Sequence, residues 1–280
     1  MKTALITGGN SGIGLATAQA LAARGYALIL LCRSAEKGQA AAAQIQAQTP
    51  AGQRPGAVVE VVTATLDDAA SVRQAAAEVL ARHQSLDVLV NNAGYSPDTI
   101  EFTPEGIERS FYANHLGHFI LTRELAPLLL KTPGARVINV SSAAMNLGKA
   151  ARFFGHDPNM STLAAYGDGK LANVLFTKGL AAGKLGGPVL AYALHPGVVS
   201  TGFGSNFTGF SKVLVNLFRP LMRTPEKGAA TSVYLATAPA IQIDGGQNGG
   251  FFADSKPKKL SHKDLTEANI NALWERSLVY

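Results

Sequence analysis

The stretch Thr3-Ala4-Leu5-Ile6-Thr7-Gly8-Gly9-Asn10-Ser11-Gly12-Ile13-Gly14 decides how the rest of the chain is read. Its first five residues are apolar or β-branched on successive positions, the pattern of a strand buried on both faces. Glycines then take over, and without a Cβ the backbone can turn tightly and come close to a pyrophosphate. A helical segment, Ile13–Arg24, follows at once. Its N-terminus offers unpaired N–H groups and a partial positive charge to phosphates. The same residues would also serve an ordinary βα turn, so the reading rests on position: the bend joins a first strand to a good first helix. No Gly-Lys-Ser/Thr follows, which excludes a P-loop nucleotidase.

Outward from this bend the alternation continues. Apolar runs at Ala27–Cys32, Val58–Thr63, Asp87–Val90, Arg136–Ser141 and Val189–Leu194 read as further strands. Between them lie amphipathic, Ala-rich helical segments at Ala35–Gln48, Ala69–Arg82, Glu105–Leu130 and Leu163–Leu180. Alternating β and α units with doubly buried strands predict one α/β domain over residues 1–280, a Rossmann-type doubly wound parallel sheet of about seven strands with helices on both faces. Long connections near 150–161, 198–224 and 244–261 are expected to form the substrate side, because such folds bind ligands beyond the carboxyl ends of their strands. Within the second, Val213-Leu214-Val215-Asn216-Leu217-Phe218-Arg219-Pro220-Leu221-Met222 is amphipathic. It reads as a lid over an apolar substrate, as a helix packed on the core, or as a helix on a membrane surface.

Composition narrows the class. Of 280 residues 47% are hydrophobic and 16% charged, which excludes bulk disorder and leaves a large core. A single cysteine, Cys32, rules out a disulfide-stapled scaffold and suits a reducing compartment. A strand beginning at residue 3 leaves no room for a signal peptide, and no uninterrupted apolar span reaches membrane length. A cytoplasmic protein without a transmembrane segment is expected, peripheral membrane contact staying open. The net charge of +6 is what a site for a phosphorylated cofactor would produce, and no nucleic-acid-binding signature accompanies the scattered basic residues.

The second strand ends Leu31-Cys32-Arg33-Ser34, with no acid where an NAD site would hold the ribose 2′-hydroxyl. Arg33 there can pair with a 2′-phosphate, which favours NADP(H) over NAD(H); the alternative is a solvated strand end. A second glycine turn, Asn91-Asn92-Ala93-Gly94, follows the fourth strand and should line the same crevice. Tyr166 and Lys170, four apart near the start of a helix, share one face. An ammonium near a phenol favours the phenolate, so the pair can move a proton to or from an alcohol oxygen. Ser141 and Ser142 end the fifth strand, and Asn114 sits mid-helix, a costly place unless its side chain bonds something. His115 and His118 are three apart with no third ligand, so no metal site is expected.

With these residues in place the chain resembles the short-chain dehydrogenase/reductase family over nearly its whole length. The matching stretches are TGGNSGIG (7–14), NNAG (91–94), NHLGHF (114–119), NVSS (139–142), YGDGK (166–170) and HPGVVST (195–201). Within that family it is most similar to the retinol-dehydrogenase-like branch, with WW-domain oxidoreductases and protochlorophyllide reductases as relatives.

The resemblance implies that Tyr166 is the general acid/base, that Lys170 holds the nicotinamide ribose, that Ser142 polarises the carbonyl, and that Asn114 positions a water. For the cofactor it implies Gly8, Asn10, Ser11, Gly12, Ile13 and Gly14 at the phosphates, and Arg33 and Ser34 at the 2′ position. Asn91, Ala93 and Gly94 would lie by the adenosine, and Pro196, Gly197, Val198 and Thr201 by the nicotinamide and pyrophosphate. Thr65 and Leu66 stand where the family has Asp-Leu facing the adenine. The implied activity is NADP-dependent interconversion of an alcohol and a carbonyl on a small-molecule substrate, apolar or bulky, with a homodimer compatible. Two other readings are an NADPH-sensing regulatory protein and a protochlorophyllide-reductase-like enzyme. Gly167 and Gly169 flank Asp168 within the helix of Tyr166 and Lys170, where each costs about 1 kcal/mol relative to alanine; close approach of the cofactor or of a partner helix is the expectation they carry.

Overall fold

A computed structural model describes residues 1–49, 58–199, 223–240, 243 and 248–280. The strands are β1 (Thr3–Thr7), β2 (Ala27–Cys32), β3 (Val59–Thr63), β4 (Val88–Asn91), β5 (Arg136–Val140), β6 (Leu190–His195), β7 (Phe251–Ala253) and β8 (Lys256–Pro257). They form one sheet in the order β3-β2-β1-β4-β5-β6-β7-β8. The first seven run parallel, and only β8 pairs antiparallel. The order reverses between β1 and β4, so the carboxyl ends of those two strands flank the crevice.

The helices are α1 (Gly12–Ala22), α2 (Ala35–Gln48), α3 (Ala69–Arg82), α4 (Arg109–Phe111), α5 (Gly117–Glu124), α6 (Ala126–Lys131), α7 (Thr162–Ala181), α8 (Pro225–Thr237) and α9 (Glu267–Ser277). They cover both faces of the sheet. On one face Leu5, Ile29, Leu89 and Val137 pack with residues of α3, α5, α7 and α9. On the other, Ile6, Leu28, Val90 and Ile138 meet α1, α2 and α8. Full burial of such a side chain is worth about 1.5–3 kcal/mol, so the two-sided burial of β1 and β2 makes them the centre of the fold. No helix among the described residues is long and apolar enough to cross a membrane.

Two differences from the sequence reading have local causes. The segment expected to be one helix over Glu105–Leu130 is several. Glu108 caps α4 by accepting from the N–H groups of Ser110 and Phe111. A π-helical turn, Tyr112–Leu116, follows, and Pro127 starts α6 as a new helix because it has no N–H to continue the old one. The expected Gly- and Lys-rich loop from residue 244 contains β7 and β8, and residues 244–247 lie outside the described residues. A three-residue strand is too short to announce itself by periodicity. The amphipathic stretch 213–222 and the pair Phe207 and Phe210 also lie outside the described residues.

The last helix closes the fold. Trp274 on α9 lies 5.1 Å from the ring of Phe119 on α5 and 5.8 Å from that of Phe176 on α7. Ser277 adds a 3.3 Å contact to His115, so α9 seals the outer face of α5 and α7.

Candidate active site

The glycine bend has the shape of a phosphate cradle. Gly8 and Gly12 adopt φ of +65° and +52°, a region that penalises every residue with a Cβ. A Cβ on Gly14 would stand 2.2 Å from the carbonyl oxygen of Gly8, and one on Gly8 would stand 3.3 Å from Ala93. The two glycine turns therefore meet, as their strand order requires. Ser11 occupies the N-cap of α1 without capping it, and the first turn carries no acid. The side chains of Ser34, Asp68, Ser161, Thr224 and Thr266 do cap α2, α3, α7, α8 and α9. The free N–H groups of α1, beside Asn10, Ser11 and Ile13, are a donor set that fits a dinucleotide pyrophosphate.

At the end of β2, Arg33 is exposed, and Ser34 accepts from the N–H of Lys37. Along the chain the first acid after Arg33 is Glu36, in the first turn of α2. Thr65 donates its backbone N–H to Ser71, and the Leu66 carbonyl sits where a Cβ on Gly117 would be 2.1 Å away. Asn91 bonds Thr122 at 3.1 Å and Asn139 at 2.8 Å, inside the seam between sheet and helices. Its neighbour Asn92 reaches across the crevice instead, donating from Nδ2 to the Thr7 carbonyl at 2.9 Å.

Thr7 is a hub that the sequence did not reveal. Its Oγ1 accepts from the N–H groups of Asn92 and Ala93, both at 2.9 Å, which fills its acceptor positions. Its own proton has two acceptors in reach, Nε2 of His118 at 2.9 Å and the Val90 carbonyl at 3.4 Å, and the histidine is the nearer. Nδ1 of His118 faces the carbonyl oxygen of Asn114 at 3.0 Å and must donate to it. His118 is thus a neutral Nδ1–H tautomer, held well below its usual pKa, at about 4, by burial and by the charge of Lys170. This one side chain ties the glycine bend to the π turn.

The π turn itself follows from Asn114. Its Nδ2 donates to the Ser110 carbonyl at 2.7 Å, the acceptor that the helix would use for a backbone bond, and the ladder widens around it. The same amide grips the backbone of Tyr95, donating to its carbonyl at 2.6 Å and accepting its N–H at 3.0 Å. Asn114 thereby fixes the residue that follows Gly94.

Tyr166 and Lys170 project from α7 toward Ser142 and the end of β5. Lys170 is 2% exposed, donates to the Val140 carbonyl at 3.1 Å, and is pushed down to about 8 by burial. Burial pushes Tyr166 up to about 12, opposed by a hydrogen bond with Ser142. The expected lowering of the phenol by the ammonium is not the dominant effect in the protein alone. Nζ lies 5.4 Å from the ring centroid, and burial is the largest influence on the phenol. Ser141 bonds the Lys170 carbonyl at 2.7 Å and anchors the helix, leaving Ser142 as the serine beside the phenol. Nδ1 of His195 accepts the Ala143 N–H at 3.2 Å and steadies that turn. Gly197 turns the chain at φ +87° between Pro196 and an exposed Val198, while Thr201 lies outside the described residues.

The expected substrate connection near 150–161 is pinned. Asp168 accepts from Lys149 N–H at 2.8 Å and from Arg152 at 2.8 and 2.5 Å. Asp264 accepts the Ala150 N–H at 2.9 Å. Phe153 and Phe154 pack on Phe111.

Comparison with known proteins gives a consistent result. A family model described as short chain dehydrogenase matches residues 2–210. Retinol dehydrogenase 12 of Mus musculus is 38% identical over 280 residues, covering 99% of this chain and 85% of its own. Retinol dehydrogenase 14 of Homo sapiens is 37% identical with the same coverages. Among solved structures, an uncharacterized protein from Mycobacterium paratuberculosis has a TM-score of 0.72 at 29% identity, covering 99% of this chain and 93% of that one. A Beutenbergia cavernae protein solved with bound NADP has a TM-score of 0.67 at 26% identity, with coverages of 90% and 94%.

Proposed function

The chain belongs to the short-chain dehydrogenase family, and from that premise we propose that it is an NADP-dependent oxidoreductase interconverting an alcohol and an apolar or bulky carbonyl compound. One juxtaposition supports the reading. Tyr166, bonded to Ser142, shares a helix face with Lys170, and Asn114 and His118 connect that face to the glycine bend.

The uncapped start of α1, the Gly8–Gly14 bend and Ala93-Gly94 would hold the pyrophosphate and adenosine half, with Arg33 and Ser34 at a 2′-phosphate. Arg33 favours the phosphorylated cofactor because its charge is permanent and, among the described residues, it forms no ion pair, with Glu36 or any other acid. When bound, the nicotinamide supplies or accepts the hydride. Ser142 donates a hydrogen bond to the substrate oxygen and holds it against the phenol. Tyr166, protonated at neutral pH with a pKa of about 12, gives its Oη proton to that oxygen as negative charge develops there. Lys170 keeps a positive charge beneath the phenol, which steadies the phenolate left behind. In the reverse direction Tyr166 takes the alcohol proton. The relatives' names point to retinol, an apolar alcohol, and that substrate class carries over as part of the proposal.

The test is NADPH oxidation against a panel of aldehydes (retinal included), ketones and quinones, with Tyr166→Phe beside the native protein. General acid catalysis typically contributes 10²–10⁴-fold, so the variant should lose turnover by about that factor and keep its NADPH affinity within about threefold. Undiminished turnover would refute the role of Tyr166. NADPH binding without oxidation across the panel would favour a sensing protein.

A further inference from the structure

The first half of α7 places two glycines, poor helix formers, on either side of a buried aspartate, directly between Tyr166 and Lys170. A Cβ on Gly167 would stand 2.7 Å from the Ala144 carbonyl oxygen and 3.2 Å from the Gly148 nitrogen. Both are backbone atoms of the 3₁₀ turn Ala143–Leu147 and its exit, so nothing flexible can give way. The contact is reciprocal, because a Cβ on Gly148 would lie 2.7 Å from the Gly167 carbonyl oxygen. Ser142 caps that same turn, accepting the Ala144 N–H at 3.2 Å. Displacing Ala144 therefore displaces Ser142 relative to Tyr166.

Gly169 makes the matching contact on the other side. Its Cβ would stand 3.0 Å from Cβ of Asn114 and 3.6 Å from Cα of Phe111. Asp168, between them, holds Lys149 N–H and the Arg152 guanidinium, which fixes the chain just beyond the Ser142 turn. We infer that Gly167, Asp168 and Gly169 are positioning residues: they set how closely Tyr166 and Lys170 approach Ser142 and Asn114. The inference rests on the oxidoreductase reading for its catalytic consequence and on contact geometry for its structural one.

Gly179 supplies the control within the same helix. A Cβ there would crowd Trp274 at 2.9 Å, a comparable clash on the face turned to α9. The full chain is prepared as Gly167→Ala, Gly169→Ala and Gly179→Ala. Each is assayed with NADPH and the carbonyl compound that the native enzyme reduces fastest, using nicotinamide-deuterated NADPH for the isotope effect. Gly167→Ala is expected to lose at least tenfold in kcat, hold NADPH within threefold, and raise the deuterium isotope effect on kcat. Its crystal structure should show the Ser142–Tyr166 hydrogen bond broken. Gly169→Ala should give a smaller loss of the same kind, and it carries the test if Gly167→Ala does not fold. Gly179→Ala should melt at a lower temperature while keeping kcat within twofold and the native isotope effect. The inference is overturned if both site variants keep the native kcat and isotope effect, or if Gly179→Ala changes them equally. Should the native protein reduce nothing on the panel, the oxidoreductase reading falls. The crystal structures then decide the positioning claim alone, an intact Ser142–Tyr166 contact in Gly167→Ala refuting it.

Discussion

Replacing Arg152 by alanine leaves Asp168 as a carboxylate that is 2% exposed and has lost two of its three hydrogen-bond donors. Each charge-assisted bond is worth about 1.5–3 kcal/mol, and orphaning one partner of a buried pair costs about 3–5 kcal/mol in all. For a protein of this size that corresponds to a fall in melting temperature of very roughly 10 °C. The loss should depend on pH. Burial already holds the Asp168 carboxyl above the usual carboxylate range, with Arg152 opposing it. Without Arg152 its pKa rises further above the unfolded value of about 3.9. The protonated form's contribution to stability is whole below that unfolded value and is lost as pH rises through the folded one. The variant should therefore be weakest at neutral pH and recover toward pH 5. Urea unfolding at pH 7.5 and 5.0 measures this, and Asp168→Asn/Arg152→Met should regain over half of the neutral-pH loss. A deficit below about 1 kcal/mol at pH 7.5, or one equal at both pH values, would refute the account.

Three further outcomes follow from the same geometry. Arg33→Ala should weaken NADPH binding by about ten- to a hundredfold, from one lost charge-assisted contact, and leave NADH within about twofold; paired fluorescence titrations decide it, equal losses showing that Arg33 does not read the 2′ position. His118→Phe strands the Asn114 carbonyl and leaves the Thr7 hydroxyl only the more distant Val90 carbonyl to donate to, so about 2 kcal/mol of stability should go. Adding Thr7→Val should then cost less than it does alone, and additive unfolding energies would contradict the bond. Lys170, pushed down to about 8 by burial, is mostly charged at pH 7, yet the folded state accommodates its neutral form better than the unfolded state does. The stability this lends is whole above its unfolded value near 10.4 and is lost as pH falls toward 8. Lys170→Met should accordingly be more stable than the native protein at pH 7, by up to about 3 kcal/mol, and melt higher, while turnover disappears. A lower melting temperature would show that the lysine is not strained by burial.

Much of the architecture was legible because it is written in local periodicity. β1 and β2 fall where their apolar runs predict them, and β3 to β6 differ by a residue at one end or both. The breaks in the helix expected over Glu105–Leu130 were not read, although Pro127 was in view, because the π turn depends on where the Asn114 amide goes in three dimensions. The residue types at 114, 142, 166 and 170 stood out by spacing and by the motifs they belong to. His118 did not, since its value lies in two partners distant from each other in the chain, Thr7 and Asn114. The glycines at 167 and 169 pointed to close approach of the cofactor or of another helix, and what the sequence could not name was the neighbours: the turn after β5 at Gly167, and Phe111 and Asn114 at Gly169. The direction of the Tyr166 shift was likewise beyond a sequence reading, because burial in the finished fold decides it.

Trp274 is the only tryptophan in the chain, and it is wedged against Phe119 and Phe176 at the seam between α9 and α7. The molecule thus carries an intrinsic optical gauge at the back of its proposed reaction centre. Indole emission needs no label and reports whether the final helix is docked. Loosening there would register as a red shift, separating damage to the helix support from damage to the chemistry in front of it.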